Sequence, residues 1–372
     1  MKKVITTVGT SLFTNYLEDS TNIKTDYDYV KDKRHREWEK CLQRADRIRQ
    51  SVAEWLEEAG ENASAEVKSL LKLRKAEKDH LEVYLLATDT VTSRLACEII
   101  KAAFEKNVFN TGQDIKVYFN EMQDVITGLQ MENYAEFVKT GAPQFVRRIN
   151  KLVENDFNGT IFNISGGYKG LIPFMTIMAQ VNNCDVVYIY EDSDTLIKIP
   201  RVPITVDYGF IEQFYEQIAL LDQGIEKYGE TKGKNYQVFE ELEERGIVEI
   251  LGDWAFLSPI GKIFLENYNS QFFVFYASDE VWKEINRQPD IQRILKVKLA
   301  TPIRESKTEM KENHMVFDDG NNNNRIYYFE DNGKIYIYKS FENEEKARKY
   351  IQTEFDKEEI IRKSVLRKLK KQ

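Results

Sequence analysis

Two short glycine-bearing stretches, Gly9-Thr10-Ser11 and Ser165-Gly166-Gly167-Tyr168-Lys169, carry residue types and spacings that could do chemistry. A glycine turn between a strand and a helix exposes backbone N–H groups at the positive end of the helix dipole, where a phosphate is stabilised. Gly166 and Gly167 permit close approach of the backbone, Lys169 adds a mobile cation, and Thr10 and Ser11 add hydroxyls. Neither stretch is a Walker A loop, and GxGxxG is absent. The three cysteines and three histidines lie far apart without a CxxC pair, so no disulfide framework, no zinc site and no cofactor are expected.

The elements around these loops alternate in type. KKVITTVG, LEVYLLATDT (81–90), DIKVYFNE (114–121), GTIFNI and CDVVYIYED (184–192) read as buried strands, with LIKIPRVPI as an extended tail. SRLACEIIKAAFEK, Ala135–Glu154 and the segment after Lys169 read as the helices between them. This predicts an α/β fold with a Rossmann-like, doubly wound parallel sheet, whose ligands sit at the carboxyl ends of the strands. A charged helical hairpin is inserted over about 26–80. Its apolar stripe is Trp38, Cys41, Leu42, Ala45, Ile48, Val52, Trp55 and Leu56, and Ser64 caps its second helix. Composition changes near Val206. A helix over 209–228, an acidic helix Asn235–Arg245, a hairpin turning at Gly252-Asp253 and a further helix follow in the order of a winged-helix unit. From Gln271 a strand, helices interrupted near Pro289, a hairpin around Asp331-Asn332-Gly333 and a helix from about Glu344 predict a small α+β domain with an antiparallel sheet. Asn321–Asn324 reads as a loop and KSVLRKLKK as a basic tail. The expected domains are 1–204, 205–270 and 271–372.

VGTSLFTN followed about 150 residues later by NISGGYKGLIPF resembles the CARF domain, the sensor of CRISPR-associated effectors. The resemblance implies a homodimer in which paired loops cradle a cyclic oligoadenylate, cyclic tetra-adenylate before rings of other size. By motif position it implies ligand contacts from Thr10, Ser11, Gly167, Tyr168 and Lys169, with Thr88 and Asp89 bordering the site. Some such domains also cut their ligand, and Ser11 and Lys169 are the residues that would serve this. Many effectors of the class carry a HEPN ribonuclease with an Arg-x4–6-His motif. Arg74 and His80 have the spacing but stand just before a sensor strand, and His35 reads as a surface residue of the insertion.

The segment NNNNRIYYFEDNGKIYIYKSFENEEKARKYIQ is similar to the C-terminal half of RelE/HigB-type toxins. That resemblance implies a metal-independent endoribonuclease acting on mRNA at the ribosome through 2′-hydroxyl attack, with cations stabilising the phosphorane. Arg325 matches the strand arginine of the family and Lys339 stands on the partner strand. Lys346 and Arg348 begin the last helix, and Lys307 or His314 could enter from the preceding segment. Tyr327, Tyr328, Tyr336 and Tyr338 read as core or sheet-face residues.

With 372 residues, 42% hydrophobic and 31% charged, the chain is long enough for two or three domains and unlike a disordered one. Its apolar runs are too short to cross a bilayer, and it reads as cytoplasmic. The net charge of −8 is uneven: Phe272–Gln372 carries 21 Lys+Arg against 18 Asp+Glu, or +3, leaving −11 for the rest. The combined expectation is a cyclic-oligoadenylate-activated ribonuclease of type III CRISPR antiviral defence. Its alternatives are a stand-alone ring nuclease and a ligand-responsive winged-helix regulator. The acidity of NYQVFEELEER counts against DNA reading.

Overall fold

Strand β1 (Lys2–Val8) is buried along most of its length, and its side chains alternate between two cores, Val4 entering one and Ile5 the other. The computed structural model describes residues 1–371 except 131, 191–193, 225, 228–235, 319 and 321–322. The last two residues expected of the fifth strand, Asn235 of the acidic helix, and Asn321 and Asn322 of the expected loop lie outside those described. The chain forms two compact units, Met1–Glu266 and Asn267–Gln372.

In the first unit β1 leads into α1 (Ser11–Asp19) and then the insertion, α2 (Lys24–Val30), α3 (Trp38–Ala59) and α4 (Ala65–Ala76). Next come β2 (Leu81–Ala87), α5 (Val91–Glu105) and β3 (Ile115–Tyr118). A short α6 (Tyr134–Glu136) runs through a π-helical turn at Phe137–Gly141 into α7 (Ala142–Leu152). β4 (Thr160–Asn163), α8 (Ile172–Val181), β5 (Asp185–Ile189) and β6 (Leu196–Ile199) complete the sheet. Its order is β3-β2-β1-β4-β5-β6, parallel throughout except for β6. Helices α1, α3, α4 and α5 cover one face, and α7 and α8 the other. Burial on both faces is what lets these strands be near-continuous apolar runs. The stripe of α3 is buried as its spacing requires, except at Leu42, which is exposed, and Trp55, which is half-buried.

The segment 209–228 is broken at Phe214 into α9 (Tyr208–Gln213) and α10 (Tyr215–Gln223) rather than forming one helix. β7 (Glu226–Lys227), α11 (Tyr236–Glu244), the hairpin β8 (Val248–Leu251) and β9 (Trp254–Leu257), and α12 (Pro259–Gln271) follow. Gly252 takes a φ of +64° at the hairpin turn, a conformation costly for other residues.

The second unit begins with β10 (Phe272–Ala277), α13 (Asp279–Asn286), α14 (Pro289–Ile294) and α15 (Ile303–Ser306). Four strands follow, β11 (Thr308–Lys311), β12 (His314–Asp318), β13 (Arg325–Asp331) and β14 (Lys334–Phe341), then α16 (Glu344–Tyr350), α17 (Lys357–Lys363) and β15 (Val365–Lys370). The sheet order is β11-β12-β13-β14-β10-β15. It is mixed rather than wholly antiparallel, because β10 lies parallel to β14. The expected basic tail is in fact β15, paired antiparallel with β10 from Phe272↔Lys370 to Ala277↔Val365. Ile326, Tyr328 and Ile337 face α13 and α14, while Tyr327, Phe329, Tyr336 and Tyr338 face α16 and α17.

Candidate functional site

β1 and β4 are adjacent and parallel, with Val4 opposite Ile161 and Thr6 opposite Asn163. Successive strands are laid down on one side of β1 as far as β3 and on the other side from β4 on, so the chain reverses its direction of travel between β1 and β4. Crevices outside such switch points are where open α/β sheets bind ligands. The Gly9–Ser11 and Ser165–Lys169 loops leave the carboxyl ends of these two strands and touch: a methyl added to Gly9 would lie 3.1 Å from the Gly167 backbone.

A carboxylate from the insertion fills the space between them. Glu66, in the first turn of α4, is 1% exposed. Its Oε1 accepts the Gly9 N–H at 2.9 Å and the Gly167 N–H at 3.1 Å, and its Oε2 accepts the Ser11 hydroxyl at 2.8 Å. Ser64 caps α4 as the sequence suggests, accepting the Val67 N–H. The glycines of the second loop are explained by the same packing. A methyl on Gly166 would stand 2.1 Å from Glu66, and one on Gly167, whose φ is +88°, would stand 2.3 Å from Thr7 Oγ1. The close approach foreseen for Gly166 and Gly167 is therefore made by the chain's own side chains.

Buried polar groups extend the arrangement. Asn163 Nδ2 donates to Ser69 Oγ of α4 at 2.8 Å, and its Oδ1 accepts the Ser165 hydroxyl at 2.7 Å. Ser165 Oγ in turn accepts the Ile189 N–H at the end of β5. The Cys97 thiol is pushed well above its ordinary value, by burial first and then by the Glu66 charge.

Of the expected ligand contacts, the Ser11 hydroxyl and Gly167 N–H are thus directed at Glu66, and Thr10 lies beside the Tyr27 phenol. Tyr168 and Lys169 are exposed on the same loop. Thr88 Oγ1 lies 3.1 Å from Thr90 Oγ1. Asp89, 5% exposed, accepts the Gly128 N–H and lies 3.8 Å from Arg34. Its carboxylate is spent on local structure. Arg74 and His80 both approach Asp114, at 2.8 and 3.3 Å. His35 is half-buried rather than a surface residue, with Nε2 2.9 Å from Arg94 Nη1. Burial and then the Arg94 charge lower its pKa.

The second unit brings together only some of its expected residues. Lys339 and Lys346 line a groove of about 480 Å³ with Arg287, Gln288, Ser340 and Asn343, together with the carboxylates Glu284 and Glu342. Lys339 Nζ is 2.7 Å from Glu284. Arg287 was not foreseen; only the fold of α13 against β14 places it there. Arg325 does not line this groove. It is 8% exposed and paired with Asp318 at 2.9 Å and Glu344 at 3.7 Å. Glu344 also holds Arg348 at 2.8 Å. Lys307 is exposed in the turn just before β11 and is not among the residues lining the groove. His314, 1% exposed, sits among Tyr327, Tyr338, Tyr350 and Phe355. Its Nδ1 is 2.9 Å from Tyr338 Oη and its Nε2 3.2 Å from the Thr353 carbonyl, which can only accept, so Nε2 carries a proton. The four sheet tyrosines are buried, and burial raises the Tyr327 phenol to about 12 and that of Tyr338 further. A second cleft, of about 330 Å³, reaches Lys339 from the α17 side but is lined by Glu280, Glu284, Glu354, Asp356 and Glu359. That is a poor setting for a phosphate.

Among the described residues no group of three or more His, Cys, Asp or Glu forms a metal site, and no helix is long and apolar enough to cross a membrane. Residues 61–202 match the family described as CRISPR-associated protein (Cas_APE2256), a segment that is less than half of the chain but takes in α4 and the Ser165–Lys169 loop. No curated protein sequence matches. Among solved structures the chain is distantly similar to Can2 from Sulfobacillus thermosulfidooxidans in complex with cyclic tetra-adenylate, at 12% identity over 69% of each chain and a TM-score of 0.21.

Proposed function

We propose that this chain is a CRISPR-associated effector whose first unit is a CARF sensor of cyclic oligoadenylate, cyclic tetra-adenylate in the first instance, and whose second unit is a RelE-like, metal-independent ribonuclease acting on mRNA at the ribosome. The observation that carries the reading is the meeting of the β1 and β4 loops at the switch point, with backbone N–H donors converging between them and Lys169 exposed beside them. A ring of phosphodiesters has repeated symmetry, so a homodimer presenting this loop pair twice matches it. The family match over 61–202 supports the same class.

In the second unit the groove holding Arg287, Lys339 and Lys346 is the better candidate for RNA, since its cations outnumber its carboxylates. Lys339 and Lys346 would stabilise charge on the attacked phosphate. Arg325, locked between Asp318 and Glu344, holds β12, β13 and α16 together. In the first unit the Ser11 hydroxyl donates to Glu66. Binding of the messenger is the first reading, and cutting it, the ring-nuclease reading, comes second. Calorimetric titration with cyclic tetra-adenylate, followed by an mRNA-cleavage assay on ribosomes with and without it, tests the proposal. Saturable binding with cleavage only in its presence is expected; absence of binding by the folded protein removes the sensor reading.

A further inference from the structure

We propose that the Glu66 carboxylate is the resident anion of the switch-point cradle, and that an incoming phosphate displaces it and so releases α4. This deepens the sensor reading by naming its regulation, and rests on that reading for the identity of the ligand alone.

The carboxylate makes the contacts a phosphate would make. Gly9 N–H, Gly167 N–H and the Ser11 hydroxyl all point to one place, and Glu66 oxygens occupy it at 2.8–3.1 Å. A phosphate oxygen on those donors would coincide with the carboxylate oxygens, and two anions cannot share one set of donors at that range. The fit is specific to this side chain, because Gly166 leaves room for it that any Cβ would remove. Glu66 also belongs to an element that can carry the change. α4 is joined to β4 through Ser69–Asn163 and to the segment just before β6 through Lys68, whose Nζ lies 2.6 Å from Asp194. Withdrawal of Glu66 unties the start of α4 from both loops and leaves these farther ties in place. Ligand binding thereby becomes a shift in the position of one helix, with free energy drawn from the difference between phosphate and carboxylate in the same seat.

The test uses the full chain as wild type, Glu66→Gln and Glu66→Ala, with Glu66→Gln keeping the side-chain shape should Glu66→Ala fold poorly. Thermal unfolding is followed against inorganic phosphate, with chloride at matched ionic strength as the control. Phosphate should raise the melting temperature of the variants by several degrees and leave wild type nearly unmoved, because in the variants the seat holds a neutral amide or no side chain, which an anion displaces more easily than a carboxylate. An equal response from all three proteins overturns the proposal. Cyclic tetra-adenylate is then titrated. Binding to Glu66→Gln should be about ten- to a hundredfold tighter than to wild type, the span expected when one charged hydrogen-bonding competitor is removed. Equal or weaker binding makes Glu66 a fixed strut and refutes displacement. If phosphate acts as expected and cyclic tetra-adenylate binds none of the proteins, the displacement proposal stands and the sensor reading fails.

Discussion

Replacing Gly166 with alanine should push Glu66 out of its seat, and the structure gives the size of the effect. The added methyl would stand 2.1 Å from the Glu66 carboxylate, far inside contact distance. Gly166, unlike Gly167, does not have a left-handed φ, so alanine costs little in the backbone itself. What is lost is the set of contacts to Gly9, Gly167 and Ser11. Hydrogen bonds to a charged group contribute about 1.5–3 kcal/mol each. The freed carboxylate and donors recover part of this from water, so roughly one or two of the three survive as net loss, or about 2–5 kcal/mol. For a unit of this size that lowers the melting temperature by about 5–15 °C. A double-mutant cycle with Glu66→Ala, read by scanning calorimetry, separates the clash from a general disturbance of the loop. With Glu66 already truncated, Gly166→Ala should add almost nothing, giving a coupling of about 2–4 kcal/mol. Additivity within about 0.5 kcal/mol would refute the reasoning, since the methyl would then be acting on something other than this carboxylate.

Lys169→Ala should weaken cyclic tetra-adenylate binding about tenfold while moving stability by less than about 0.5 kcal/mol, because the side chain is exposed; titration and calorimetry on the same sample check both halves. Lys339→Ala and Lys346→Ala should each cut RNA cleavage about tenfold or more with a near-normal melting temperature, as surface cations at the reacting phosphate would. Arg325→Ala should cost about 1–3 kcal/mol of stability, because Asp318 loses its buried partner; a fully stable Arg325→Ala protein contradicts the assignment. The lowered His35 pKa means that the unfolded chain takes up a proton near the ordinary value of 6.5 while the native protein still resists it. Stability from this group is complete above that value and declines as pH falls through it towards the native pKa. His35→Gln should therefore flatten the loss of stability between about pH 7 and 5, measured by denaturant titration.

The strands of the first sheet were legible because burial on both faces makes them apolar runs, as in VITTV and VYLLA, and the glycine loops after β1 and β4 were legible as turns. Glu66 was not. Ser64 marks the start of its helix locally, but the partners of its carboxylate lie 57 and 101 residues away, and a single Glu in a Glu-rich insertion has no pattern of its own. The insertion's charge likewise suggested solvent, yet His35 packs into the unit beside Arg94. β15 escaped notice because VLRKLK looks like a basic tail until Phe272–Ala277 supplies the strand beside it. The expected convergence on Arg325 came from a one-dimensional motif. Pairing with Asp318 across the sheet and with Glu344 on α16 is a tertiary fact that the motif does not contain.

A carboxylate anchored on a helix differs from a dissolved competitor in one respect: its effective concentration is set by the chain that carries it. Changes to the α3–α4 connection around Gly60–Ala63 would strengthen or weaken Glu66 as a rival without touching a single group that meets the ligand. The concentration at which a phosphate ligand takes over is then a property of the insertion's stiffness. Chains with identical binding loops could then respond to a phosphate ligand at different concentrations.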